Sequence, residues 1–102
     1  MAAKKAAKKS APSYVLVRSH LAGVFVGEQI GEATQDHVVL RNARRIYSWA
    51  GALSVDTIAR KGVASGSELT GPHDVTVYGQ IVQINPLSEE ARANLYAQPV
   101  SQ

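Results

Sequence analysis

The chain has 102 residues, no cysteine and a formal net charge of +3. That length suits one domain, and the lack of cysteine excludes a disulfide framework, a thiol nucleophile and a thiolate zinc site. Lys4, Lys5, Lys8 and Lys9 carry four of the 11 basic charges, so the other seven face 8 acidic side chains and the body sits near −1. This argues against a basic nucleic-acid-binding surface spread over the whole domain.

Residues 1–12, Met-Ala-Ala-Lys-Lys-Ala-Ala-Lys-Lys-Ser-Ala-Pro, have no large apolar side chain after Met1. They read as a flexible Lys/Ala-rich tail, disordered and basic, because so short a helix is marginal alone in water. Lys4, Lys5, Lys8 and Lys9 are its candidate contacts to a polyanion, either nucleic acid or an acidic protein surface. No apolar run reaches the ~20 residues of a membrane span, and none follows the charged start as a signal peptide requires. The expectation is therefore a protein without a membrane partner.

Residues 13–98 read as a single α+β domain and residues 99–102 as a C-terminal end that trails away. Ser13 to Arg18 is β-branched and aromatic, the pattern of a strand. Gly23 to Ile30 is a second strand, and Gly27 inside it signals a bulge or a close backbone approach. Gly31 to Asp36 is a polar hairpin connection. A third strand opens at His37 and runs toward Trp49, with a bend expected at Asn42-Ala43. A short helix is predicted over 54–61, with Ser54 as N-cap, Asp56 in the first turn, Arg60 and Lys61 in the last, and Gly62 after the end. Val55, Ile58 and Ala59 form its apolar face. Residues 63–74, rich in Gly, Ser, Thr and Pro, read as a loop. Val75 to Ile84 reads as one strand, apolar on both faces and so central in its sheet, and Pro86 ends it. Ser88 caps a second helix over 88–96, with Glu89 and Glu90 at its N-terminus and Ala91, Leu95 and Tyr96 packing. The fold class is a small, mainly antiparallel β-sheet with two short helices. About 90 residues hide only roughly 60–65% of the unfolded chain's surface, so a homo-oligomer is expected.

One stretch concentrates binding chemistry. Arg41, Arg44 and Arg45 lie beside Tyr47 and the only Trp, Trp49. In an extended chain Arg45, Tyr47 and Trp49 share a face, while Arg44, Ile46 and Ser48 take the other. Rings can stack on a base, and a guanidinium can hold phosphate oxygens in a bidentate pair. The same residues suit a packed core in which an arginine pairs with Asp36 or Asp56. His20, His37 and His73 have no metal-ligand spacing. Gly23-Val-Phe-Val-Gly27 lacks the third glycine of a dinucleotide fingerprint. Nothing assembles a catalytic set, so no enzyme activity, metal or cofactor is expected.

Three pieces carry a resemblance: Tyr14-Val-Leu-Val-Arg18 followed by Ala22-Gly-Val-Phe-Val-Gly27; the run from Val38 to Ala52; and Val75–Ile84 followed by Ser88-Glu-Glu-Ala91. Over residues 14–95 they resemble a family of small uncharacterised proteins encoded by tailed bacteriophages and prophages. The resemblance implies a phage origin and offers no catalytic residues. It suggests two roles in the host cytoplasm during infection or in the virion. One is capture of an anionic nucleotide-type ligand, either a nucleic acid or a host-defence signalling nucleotide. The other is a virion component, such as a capsid decoration or head/tail accessory protein bound to other virion proteins.

Overall fold

A computed structural model describes residues 13–101; the tail lysines Lys4, Lys5, Lys8 and Lys9 lie outside the described residues. The elements are β1 (Tyr14–Ser19), β2 (Gly23–Ile30), β3 (His37–Ser48), α1 (Val55–Lys61), β4 (Glu68–Leu69), β5 (His73–Tyr78), β6 (Ile81–Pro86) and α2 (Glu89–Ala97). The expected class holds: a mainly antiparallel sheet with two helices.

β1, β2 and β3 form an antiparallel meander. β5 then pairs with the first half of β3, while β6 pairs with β1 on the far side. Only Gly79 and Gln80 separate those two strands, at φ 105° and 48°. The segment predicted as one central strand is therefore a single bent strand that lies along both edges and curls the sheet into a partly closed barrel. The corner is fastened to the neighbouring turns. His20 N–H donates to Gln80 O at 2.9 Å, Gly79 N–H to Asp36 O at 3.1 Å, and Ile81 N–H to Gln35 O at 2.8 Å. The buried Ser19 hydroxyl donates to Gly79 O. Apolar residues occur at both parities of 75–84 because the bend resets the alternation. Val75, Val77, Ile81 and Ile84 all reach the same core, whereas Tyr78 and Val82 stay exposed.

Two cores result. Val15, Val17, Phe25, Val38, Leu40, Ala43 and Val77 fill the inside of the curl. Leu16, Val24, Val26 and Ile46, on the opposite face, pack with Ile58 and Ala59 of α1 and Ala91 and Leu95 of α2. The fully buried Leu16, Leu40, Ile58, Leu69 and Leu95 each stabilise the fold by about 1.5–3 kcal/mol. The expected bend in β3 falls at Asn42, which has φ 55°, with a register shift between Leu40 and Ala43. This bulge changes which parity faces inward: Val38 and Leu40 before it, Ala43 after it.

Gly27 lies opposite that bulge. A Cβ there would sit 2.9 Å from Ala43 Cβ, and the β2–β3 register shifts beside it. Gly27→Ala should therefore cost about 1–3 kcal/mol, read as a lowered denaturant midpoint, because two backbones must separate.

Both helices start where serine caps were expected. Ser54 Oγ accepts from Thr57 N–H at 3.5 Å and Ser88 Oγ from Ala91 N–H at 3.0 Å. The Ser88 hydroxyl also donates to Arg60 O, and its N–H to Ala59 O at 3.0 Å, joining the end of α1 to the start of α2. Two expectations are corrected. The predicted loop 63–74 contains β4, whose buried Leu69 stands opposite Ile46. Beyond Gln98 the chain does not trail away: Val100 bridges Leu69, and Ser101 N–H donates to Leu69 O at 2.8 Å.

Candidate functional site

The stretch Arg41–Trp49 spans the β3 bulge, and the bulge sends its three arginines to different surroundings. Arg44, on the helix side, is 1% exposed. Its Nε donates to Thr70 O at 2.6 Å, Nη1 to Leu95 O and Gln98 O, both at 2.8 Å, and Nη2 to Pro99 O at 3.2 Å. α2 has no basic residue in its last turn, and Arg44 supplies that cation from β3 against the negative end of the helix dipole. Burial holds its pKa below the usual arginine value. The expectation that Arg44 contacts a ligand is therefore corrected: it is buried, and four of its five N–H donors go to the protein's own carbonyls.

Arg45 has the opposite environment. Its backbone is pinned by Thr70, whose Oγ1 accepts from Arg45 N–H at 2.9 Å and whose N–H donates to Arg45 O at 3.0 Å. Its side chain is exposed. The Cζ atom stands 5.5 Å from the ring centroid of Phe25 and 5.5 Å from that of Tyr47. Phe25 is its cross-strand partner on β2. The carboxylates expected as partners are elsewhere. Asp56 accepts from Gln83 and Asn85, and Asp36 lies at the β5–β6 corner, where its carbonyl accepts from Gly79.

Tyr47 is 57% exposed, and with Arg45 it realises the expected shared face. Trp49 follows the end of β3 and is 36% exposed; among the described residues no ring or cation contact joins it to that pair. Arg41 precedes the bulge, stands opposite Glu28 and is not brought together with Arg45. The observed cluster is Arg45, Phe25 and Tyr47, with Trp49 nearby in sequence. Phe25 escaped the sequence reading because cross-strand register is not visible in a single strand.

A second aromatic cluster lies across the bulge. Tyr14 and Tyr96 meet edge to face at 5.5 Å and 82°. Tyr96 Oη donates to Asn42 O at 2.6 Å, and Asn42 Nδ2 donates to Tyr14 Oη at 3.0 Å. Burial raises the Tyr96 phenol well above its ordinary value, which is about 10. A folded-state pKa raised in this way gives stability that is complete below the unfolded value and is lost as pH rises beyond it. Thermal midpoints should therefore fall above pH about 10, and Tyr96→Phe, although less stable at neutral pH, should show a shallower alkaline decline.

The fold and this face define a small curled-sheet α+β protein with one solvent-facing arginine set on two aromatic rings. The chain belongs to the family described as Domain of unknown function (DUF6948), which matches residues 12–95. No curated protein and no solved structure matches it. Among the described residues, no helix is long and apolar enough to cross a membrane, and no group of three or more His, Cys, Asp or Glu could hold a metal ion.

Proposed function

We propose that this is a phage-encoded, non-enzymatic binding protein that captures an anionic nucleotide-type ligand, a nucleic acid or a host-defence signalling nucleotide, on its Arg45 face. The observation that carries the reading is the exposed Arg45 guanidinium beside the Phe25 and Tyr47 rings. Partial desolvation by rings strengthens a charge-assisted bond to phosphate, and the exposed ring of Tyr47 offers a surface for a base. These groups hold and stack; they do not move protons. The phage origin rests on the resemblance described above. A face this small gains from a second copy lining the same ligand, so the binding form is a homo-oligomer.

A second reading draws on the same segment. Tyr47, Trp49 and Leu53 are 57%, 36% and 94% exposed. Three large apolar side chains in so short a span suit contact with another protein, as in a capsid decoration or head/tail accessory protein. Two measurements separate the readings: calorimetric titration of the protein with cyclic and linear nucleotides and short single strands, and mass spectrometry of purified virions. Saturable binding and absence from particles support capture. Many copies per particle and no binding tighter than about 100 μM support the virion role.

A further inference from the structure

The bulge that sends Arg44 inward also opens a groove of about 420 Å³ between itself and α2, lined by Tyr14, Asn42, Glu89, Arg92, Ala93 and Tyr96. That volume falls in the ~300–1,000 Å³ range of small-molecule sites. We propose that this groove is a second ligand site, taking a small planar ring that carries one acidic group and an N–H donor.

Arg92 is the charged anchor of the groove. It is an exposed helix residue, free in principle to extend into water. Instead its Cζ lies 4.1 Å from the Tyr14 ring centroid, stacked on the face. One face of the guanidinium is thereby occupied, while its N–H edge stays available for a bidentate pair with a carboxylate or phosphate. Tyr14 Oη accepts from Asn42 Nδ2 and keeps its own proton to donate. Glu89 sits three residues before Arg92 on the same helix face. Its carboxylate accepts an N–H and disfavours a ligand of high negative charge. Ala93, the small side chain in this lining, leaves room for a flat ring in the groove.

The site is also held rigid. Asn42, with its φ of 55°, is fastened on three sides: by Tyr96 Oη to its carbonyl at 2.6 Å, by Tyr14 Oη at its amide, and by Asp74 Oδ1, which accepts from its N–H at 3.0 Å. A left-handed non-glycine residue held by so many partners is the kind of local strain that gathers at ligand sites. None of the lining residues belongs to the Arg45 face, so the two sites stand or fall separately.

The test is a backbone amide NMR titration of the full chain with two probes, adenosine 5′-monophosphate and 4-aminobenzoate. Both carry an aromatic ring with an amino donor and one acidic group, but they differ in source and charge, one a nucleotide phosphate of about −1.5 to −2 and the other an aromatic carboxylate of single charge, which Glu89 should favour. Saturable shifts are expected at Asn42, Ala93 and Tyr96. Arg92→Gln should weaken binding by about tenfold or more, Tyr14→Phe, which keeps the ring, by a few-fold, and Arg45→Ala not at all. The stronger probe names the source. The proposal is overturned if neither probe binds tighter than about 1 mM, if shifts centre on Phe25, Arg45 and Tyr47 instead, or if folded Arg92→Gln binds like wild type.

Discussion

Arg44→Met should lower the unfolding free energy by about 3–4 kcal/mol, although it removes a charge from the interior and keeps an unbranched apolar stem. The four carbonyls of Thr70, Leu95, Gln98 and Pro99 lose their shared donor; the Leu95 acceptor is buried and the other bonds are part-buried, and a buried acceptor left without a partner costs about 1–3 kcal/mol. Partial rearrangement and water entry keep the sum below the simple total. For a domain of this size the loss corresponds to a thermal midpoint lower by about 15–25 °C. Set against a whole stability of roughly 0.05–0.15 kcal/mol per residue, it leaves the fold marginal. Arg44→Lys should recover little, because one ammonium cannot reproduce the planar fork that reaches β4's flank and the end of α2 together. A midpoint for Arg44→Met within about 2 °C of wild type, well under 1 kcal/mol, would show that Arg44 is not the bond between β3 and the C-terminal segment.

Arg45→Ala should lower that midpoint by no more than about 5 °C and weaken nucleotide or single-strand binding by about 10- to 100-fold. This is the equivalent of one charge-assisted hydrogen bond worth roughly 1.5–3 kcal/mol. The exposed side chain contributes modestly to folding: its ring contacts, the exposed Tyr47 and the buried Phe25, are both 5.5 Å away, close to the ~6 Å limit of such attraction, so the loss is about 1 kcal/mol or less. The variant should also flatten the salt dependence of binding, because one fewer counterion is released. Arg41→Ala should change affinity far less, since Arg41 stands opposite Glu28 before the bulge, away from the rings. A double change of Arg44 and Arg45 is uninformative, because unfolding would mask any loss of binding. If Arg45→Ala instead lowers the midpoint by more than about 10 °C, the guanidinium is a structural clamp and the binding reading fails with it.

Much of the fold could be read from the chain because its signals are local. Ser54 and Ser88 announce the helices through their own side chains, and Ile58, Ala59, Ala91 and Leu95 mark the buried faces by spacing. Gly27 and Asn42 signalled the bulge, although not that they face each other. The errors share one cause, which is pairing between distant strands. The apolar residues on both parities of 75–84 suggest a central strand, yet a bend at Gly79–Gln80 produces the same pattern. Leu69 looks like an isolated apolar residue in a polar loop until β3 is placed beside it.

The site was legible in the same partial way. The alternation that puts Arg45 with Tyr47 follows from strand geometry alone. Arg44 and Arg45 differ by one residue and by no chemistry; the bulge and the alternation after it turn Arg44 to the face that α2 covers. A signal for Arg44 did exist. Asn94-Leu95-Tyr96-Ala97 ends a helix without a basic side chain, so its terminal carbonyls needed a cation from another element.

Capture of an anion by Arg45 beside Phe25 and Tyr47 can be read from a single ring. Trp49 emission tests it most directly, because that ring follows the same strand and is the only tryptophan in the chain. Wild type and Arg45→Ala would be titrated with a short oligothymidylate, which itself absorbs little where tryptophan emits, at low and moderate salt. The expected result is a saturable change in the wild type with an apparent Kd below about 100 μM, weakened by added salt, and a curve displaced at least tenfold in a variant that melts within about 5 °C of wild type. A wild type that shows no saturable change, or a variant whose curve overlays it, contradicts the claim.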